Sequence, residues 1–325
     1  MKILFMGTPD FAVKTLEACI ETHEVVAVFT QPDKPKGRGN KLTSPPIKVI
    51  AEKHQIPVLQ PDKIRKGDWP ETIRAYEPDV IVVVAYGQIL SQEILDIPKY
   101  GCINVHASLL PKYRGAAPIN WAIAHGETQT GVTTMMMDVG IDTGDMLLKS
   151  EVTITNDMDA QMLHDVLAQE GASLLIQTLE RLEMGTLRRE KQDDASSSHA
   201  PMMNKEISEI DWDMTSKEIR NRVRAFNPWP IAHTELGDQP LKVFEMTVIE
   251  CDKSLEWQQH IGLNAPAGTV VHIDKIGLYV KTRDGYIRID TLQLGSHKRM
   301  STQAFLLGNV VEIGTVLTKK RSIHI

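Results

Sequence analysis

Two short stretches of this chain hold side chains that could work on a carbonyl. The first is Asn104-Val105-His106-Ala107-Ser108-Leu109-Leu110-Pro111, and the second is Asp142-Thr143-Gly144. Residues 101–106 read as a strand, so Asn104 and His106, two positions apart, share a face. An amide NH2 can donate a hydrogen bond to a carbonyl oxygen that is gaining negative charge. An imidazole can do the same, or carry a proton near neutral pH. A carboxylate at 142, just ahead of a glycine turn, could hold that imidazole in one tautomer. Such a set serves acyl transfer without a covalent enzyme intermediate. The residue types alone leave a second reading open, in which Asn104 ties down a strand end and His106 is a satisfied core histidine. No side chain reads as a nucleophile, because Ser108 lacks the GxSxG context. Cys19, Cys102 and Cys251 lie far apart and form no CxxC, so neither a disulfide framework nor a metal site is expected.

These groups need a frame to hold them. Residues 2–6, 25–30, 57–59 and 80–84 read as strands, and helices are predicted to about residue 21, over 45–54 and over 68–76. Thr8 or Asp10 is placed to cap the first helix. The unbroken run Val80-Ile81-Val82-Val83-Val84 suits the centre of a parallel sheet covered on both faces. The alternation predicts a Rossmann-like, doubly wound α/β domain. Gly7-Thr8-Pro9 stands where GxGxxG would be, so no dinucleotide is expected. Ligands of such sheets lie beyond the carboxyl ends of the strands, where the runs at 80–84 and 101–106 finish. Two further strands are expected at 131–138 and 145–152, around the turn at 140–145, followed by a long amphipathic helix over 159–184. The polar run 191–199, with Asp193-Asp194 and Ser196-Ser197-Ser198, reads as a loop or linker. A short helix at 216–225 precedes β-prone runs at 241–250, 268–273, 277–282, 286–292 and 310–317, the pattern of a small barrel. The expected organisation is a catalytic α/β domain at 1–190, a linker at 191–209 and a C-terminal β-barrel domain at 210–325.

The chain has 325 residues, long enough for two cores, and a net charge of −6. Bulk charge therefore argues against a strongly basic nucleic-acid binder. The distribution is uneven, since residues 206–325 are neutral and the negative balance falls in 1–205. Local basic clusters stand at Lys298-Arg299 and Lys319-Lys320-Arg321, and residues 31–41 are basic, rich in Gly and Pro, and too irregular for a helix. The first apolar run, 3–6, is too short for a signal peptide, and no run approaches membrane-spanning length. A soluble, cytoplasmic, monomeric protein is expected.

Asn104-x-His106, Ser108-Leu109-Leu110-Pro111 and Asp142-Thr143-Gly144 together resemble the signature of the folate-dependent formyltransferases. The resemblance implies that Asn104, His106 and Asp142 carry catalysis, with 10-formyltetrahydrofolate as co-substrate and no metal. It implies that Ser108, Leu109, Leu110 and Pro111, with Gln88, Ile89 and Leu90, border the folate site. Val139 and the residues up to Asp142 would wall the pterin pocket. Plain core packing is the other reading of Ile89, Leu90, Leu109 and Leu110. The implied chemistry is attack of a neutral amine on the formyl carbon at N10. Asn104 and His106 would stabilise the oxyanion, while Asp142 orients His106 and helps return a proton through water.

The same resemblance bears on the acceptor. Residues 31–41 are similar to an insertion with which the tRNA-directed members of the family contact the acceptor stem. That places Arg38 on tRNA, supported by Lys34, Lys36 and Lys41. These members carry an oligonucleotide-binding-like (OB-like) C-terminal barrel, whose exposed face suits nucleic acid. Lys242, Lys281, Arg283, Arg288, Lys298 and Arg299 would line the path there. Arg114-Gly115-Ala116-Ala117-Pro118-Ile119, Ile210-Asp211-Trp212 and Arg224-Ala225-Phe226-Asn227-Pro228-Trp229-Pro230 extend the likeness over nearly the whole chain. The acceptor this implies is the α-amino group of methionine on initiator Met-tRNA, for translation initiation. An amino-sugar nucleotide is the alternative, because formyltransferases acting on such acceptors share the Asn-x-His and Ser-Leu-Leu-Pro elements.

Overall fold

The all-apolar run at 80–84 forms the middle strand of a seven-stranded sheet, and all of its residues are buried. The computed structural model describes residues 1–36, 41–249 and 265–318. The sheet lies in the first of two compact units, built from Met1–Pro118, Gln129–Ile154 and Met162–Pro201. In chain order the elements are β1 (Lys2–Gly7), α1 (Val13–Thr22), β2 (Glu24–Phe29), a short pair β3 (Lys34–Lys36) and β4 (Lys41–Thr43), α2 (Pro46–Lys53), β5 (Val58–Leu59), α3 (Trp69–Ala75), β6 (Val80–Val84) and α4 (Gln92–Leu95). They continue with β7 (Cys102–His106), β8 (Arg114–Gly115), α5 (Pro118–Ala124), β9 (Gln129–Met136), β10 (Met146–Thr153), α6 (Ala160–Glu183) and β11 (His199–Ala200). The order across the sheet is β10-β9-β7-β6-β1-β2-β5. The five strands from β7 to β5 are parallel, while β9 runs antiparallel to β7 and β10 antiparallel to β9. The chain works outward from β1 through β2 to β5, then returns to lay β6 on the other edge of β1. That reversal is the topological switch point, and the crevice beyond the carboxyl ends of β1 and β6 is where such sheets take ligands.

One local expectation is corrected in this unit. Neither Thr8 nor Asp10 caps α1, which follows a single 3-10 turn at Asp10–Ala12. Thr8 Oγ1 donates instead to the Tyr86 carbonyl at 3.0 Å, stitching together the loops after β1 and β6. The described part of the basic stretch is not helical, and β3 and β4 pair antiparallel. At its foot Asp33 accepts hydrogen bonds from Lys48 Nζ (3.0 Å), Gln60 Nε2 (2.8 Å) and Ser44 Oγ (3.2 Å). The bonds from Gln60 and Lys48 hold its carboxyl below the usual carboxylate range.

The second unit gathers Ile119–Thr128, Thr155–Gln161 and the described residues from Met202 onward. It contains α7 (Ser216–Ala225), β12 (His233–Leu236), β13 (Gln239–Ile249), β14 (Val270–Ile273), β15 (Leu278–Lys281), β16 (Tyr286–Leu294), β17 (Met300–Ser301) and α8 (Thr302–Leu306). Thr215 and Glu218 close a capping box on α7, which fixes where that helix starts. The strands form a curled antiparallel sheet ordered β12-β13-β16-β15-β14, a half-barrel. Arg224 lies inside this unit and donates to the carbonyls of Thr155 and Met158, both at 2.9 Å. Asn227 Nδ2 donates to Asp159 at 2.8 Å, so this motif pins the 155–161 segment.

The run at 310–317 is not the strand that its apolar residues predict. It acts as a staple between the two edges of the sheet. Gly314 and Leu317 donate their N–H groups to Val270 and Gly268, both at 2.8 Å, on the β14 side. Thr318 exchanges backbone hydrogen bonds with Glu235 of β12. Dividing its partners between two edges leaves no ladder with either. Among the described residues no helix is long and apolar enough to cross a membrane.

Leu317 is 1 % exposed at the centre of that staple. Leu317→Ala is expected to destabilise the second unit by about 2–4 kcal/mol, read as a lowered urea midpoint. An unchanged midpoint would mean that the staple does not hold the sheet closed.

Candidate active site

β7 carries Asn104 and His106 between two partner strands. Asn104 lies opposite Val83 of β6 and Met135 of β9, and His106 opposite Thr133. The His106 ring is 5 % exposed, and its Nε2 sits 2.9 Å from the Tyr113 carbonyl. A carbonyl can only accept, so Nε2 carries a proton. Nδ1 faces Asp142 Oδ2 at 3.6 Å, beyond hydrogen-bond length. The tautomer is therefore set by the Tyr113 backbone, not by Asp142 as the sequence predicts. Asp142 takes hold of Asn104 instead, with Asn104 Nδ2 donating to Oδ1 at 3.2 Å. An amide nitrogen has two hydrogens, and the second can serve another acceptor.

Asp142 has φ +55°, in the left-handed region that side chains with a Cβ avoid. Its Oδ2 also accepts the Gly115 backbone N–H at 2.9 Å. The turn leading into it is tied by Asp138, whose Oδ1 accepts from Gly140 N (3.0 Å) and Thr143 Oγ1 (2.7 Å). Gly144 is required by contact, since a Cβ there would run into the Met136 carbonyl oxygen. A residue that the sequence does not single out completes the turn. Gln192 Nε2 donates to the carbonyls of Asp142 and Gly144, both at 2.8 Å, and its Oε1 accepts Arg114 Nε at 2.9 Å. It falls in the polar run read as a linker, fifty residues from Asp142, with no local signal to mark it.

The residues expected around the folate divide into two groups. Ser108 is buried, and its hydroxyl donates to the Lys112 carbonyl at 2.6 Å. Leu110 packs with Met135 and Met146, and Leu90 joins the core beneath the sheet, so both serve packing. The Gln88 amide is occupied by Ile64 N (2.7 Å) and the Pro61 carbonyl (2.9 Å). Leu109 and Pro111 are half-buried. Ile89, Val139 and Ile141 are apolar yet 48 %, 62 % and 57 % exposed. Among the described residues no three His, Cys, Asp or Glu side chains are grouped to hold a metal ion.

Of the cations expected on tRNA, Lys34 is exposed, while Arg38 and the side chains of Lys36 and Lys41 lie outside the described residues. In the second unit Arg283 pairs with Glu218, Arg288 with Asp290 and Arg299 with Glu245. Lys281 donates to the Ala265 carbonyl. Lys242 is half-buried and Lys298 exposed.

Residues 1–179 match the family model described as formyl transferase, and residues 202–310 the one described as formyl transferase, C-terminal domain. A methionyl-tRNA formyltransferase of Geobacter metallireducens is 53 % identical over 97 % of this chain and 97 % of its own length. One from Clostridium perfringens is 51 % identical over 98 % of this chain and 100 % of its own. Among solved structures, WlaRD, a sugar 3N-formyl transferase studied with dTDP and 5-N-formyl-THF, shares the fold. Its TM-score is 0.63 at 21 % identity, over 89 % of this chain and 97 % of that one. HypX of Aquifex aeolicus, in complex with tetrahydrofolic acid, gives 0.61 at 19 % identity over 97 % of this chain, which spans 50 % of HypX.

The close approach of Gly144 to backbone makes Gly144→Ala a test of the turn. It should displace Asp142 and lower turnover at least tenfold, about 1.4 kcal/mol of transition-state stabilisation. Wild-type turnover in this variant would show that the Asp142 turn does not have to sit where it does.

Proposed function

Because the chain belongs to the formyl transferase family, we propose that it moves the formyl group of 10-formyltetrahydrofolate onto the α-amino group of methionine carried by initiator tRNA, for translation initiation. The observation that carries this reading is the grouping of Asn104, His106 and Asp142 at the end of β7 in a chain about half identical to methionyl-tRNA formyltransferases from end to end.

When bound, 10-formyltetrahydrofolate supplies an activated formyl carbon. The fit of its ring system is supported by Ile89, Val139 and Ile141, which leave apolar surface exposed after β6 and on the turn into Asp142. Asn104 offers its second N–H to the oxygen that gains charge as the amine attacks. His106 Nδ1, unprotonated in the tautomer that Tyr113 sets, takes up the proton that the amine sheds and then faces that oxygen as an N–H donor. Asp142 keeps both donors aimed, through its 3.2 Å bond to Asn104 and its approach to His106. His106 then gives that proton through water to the departing nitrogen as its bond to the formyl carbon breaks. Catalysis belongs to the first unit. Binding of tRNA belongs to the basic segment 31–41, with Arg38, Lys34, Lys36 and Lys41, and to the C-terminal domain, with Lys242 and Lys298.

The direct experiment mixes the protein with charged initiator Met-tRNA and 10-formyltetrahydrofolate. Formyl-methionine should form, His106→Ala should lower its rate by about 10²–10⁴-fold, and uncharged tRNA should give none. Formyl transfer to an amino-sugar nucleotide with none to Met-tRNA would overturn the choice of acceptor. A second measurement addresses the polyanion. The apparent affinity for tRNA should fall steeply and linearly on a log–log plot against salt, and a flat response would remove phosphate contacts from the account.

A further inference from the structure

We infer that Gln192 is a positioning residue for the transfer reaction, holding the Asp142 turn in the backbone setting from which its carboxylate reaches Asn104 and faces His106. The inference rests on the formyl-transfer reading for its kinetic consequence, and on geometry for the rest. Gln192 is buried, at 6 % exposure, and its side chain makes three hydrogen bonds. Its single NH2 group spans two carbonyls of one turn, those of Asp142 and Gly144. Asp142 carries one of these carbonyls and lies two residues before the other, so it cannot leave its left-handed conformation without disturbing both bonds.

The other end of the amide reaches the same carboxylate by a second route. Gln192 Oε1 accepts Arg114 Nε, and Arg114 Nη2 pairs with Asp194 at 2.9 Å. β8 and β11 pair Arg114 with His199 and Gly115 with Ala200. That pairing fixes Gly115, whose N–H holds Asp142 Oδ2 at 2.9 Å. Asp142 is thus gripped at its backbone and at its carboxylate by residues that converge on Gln192. Two donors and one acceptor are needed, and one amide supplies them. A glutamate would turn a carboxylate toward two carbonyl oxygens. A methionine would keep the length and make none of the bonds. The charged and titratable groups around this clamp are Asp138, Asp142, Arg114, Asp194 and His199, whose ring lies against Gly115.

The test compares Gln192→Met, Gln192→Glu, Asp142→Asn and the double variant Q192M/D142N in single-turnover formylation at saturating substrates. Gln192→Met and Gln192→Glu should each lower the rate about ten- to a hundredfold, with KM for tRNA nearly unchanged. If Gln192 acts through Asp142, the double variant should be no slower than Asp142→Asn alone. Losses that multiply, or a wild-type rate in Gln192→Met, would overturn the inference. A substrate-free readout accompanies the kinetics. In 15N-histidine NMR at fixed pH, Gln192→Met should move the ring-nitrogen chemical shifts of His106 in the same direction as Asp142→Asn does, and unmoved shifts also overturn it. Should the wild-type protein fail to formylate Met-tRNA, the functional reading falls while the NMR comparison still decides the role of Gln192.

Discussion

The Asp142 carboxylate accepts the Asn104 amide on one oxygen and the Gly115 N–H on the other, and that second oxygen faces His106 at 3.6 Å. Two of the three neighbours stand on β7 and the third on β8, so the position of Asp142 depends on how those two strands and its own turn are assembled. The residue stands at φ +55°, a setting that costs about 1–3 kcal/mol for a residue with a side chain. Such a conformation persists only where its surroundings over-determine it. Here they do so by Gln192 on the carbonyls, by the Asp138 cap on the preceding turn, and by the fit of Gly144 against Met136.

Reversal of strand direction in the sheet explains how the turn gets there. A fully parallel sheet would carry the chain away from β7 through a long crossover before it returned. β9 instead runs antiparallel to β7, with Asn104 opposite Met135 and His106 opposite Thr133. The chain leaves β9 at Met136 and bends back so that Asp142 meets the face of β7 that bears Asn104 and His106. Met136 N–H to the Asp145 carbonyl at 2.8 Å closes the base of this excursion. Thr133 performs a second service from the same strand. Its hydroxyl donates to the Ser108 carbonyl and accepts the Leu110 N–H, which anchors the loop leading to Tyr113, the residue that fixes the His106 tautomer.

What could be read from sequence and what could not follow from the range of the forces involved. The strand at 80–84 is legible because an unbroken apolar run acts within a few residues, and the helix at 216–225 is where the sequence places it. Asn104 and His106 share a face for the same short-range reason. Gln192 was not legible, because its partners lie 48, 50 and 78 positions away and its own surroundings are polar. The run at 310–317 misled in the opposite direction. Its apolar residues are real and Leu317 is buried, yet its hydrogen bonds go to two edges of a sheet whose curl no local pattern records. The Thr8 cap failed because a loop 78 residues away offered a carbonyl.

The pairing of the C-terminal arginines bears on how this unit could meet a polyanion. Arg283 and Glu218 are 59 % and 47 % exposed in their side chains, and Arg299 and Glu245 are 45 % and 58 % exposed. Exposed pairs of this kind contribute about 0–1 kcal/mol, because water screens them and ordering two long side chains offsets the attraction. Exchanging the carboxylate for a phosphate oxygen therefore sacrifices little, and release of counterions from the nucleic acid favours the exchange at low salt. Arg288 differs, since its pair with Asp290 is only 23 % exposed on each side and Thr247 completes the cluster. Drawing Arg288 away to a phosphate would leave the partly buried Asp290 carboxylate without its cation, at a higher cost than at the exposed sites. Exposure thus separates cations that can be recruited to a phosphate backbone from one committed to holding β16 and β13 together.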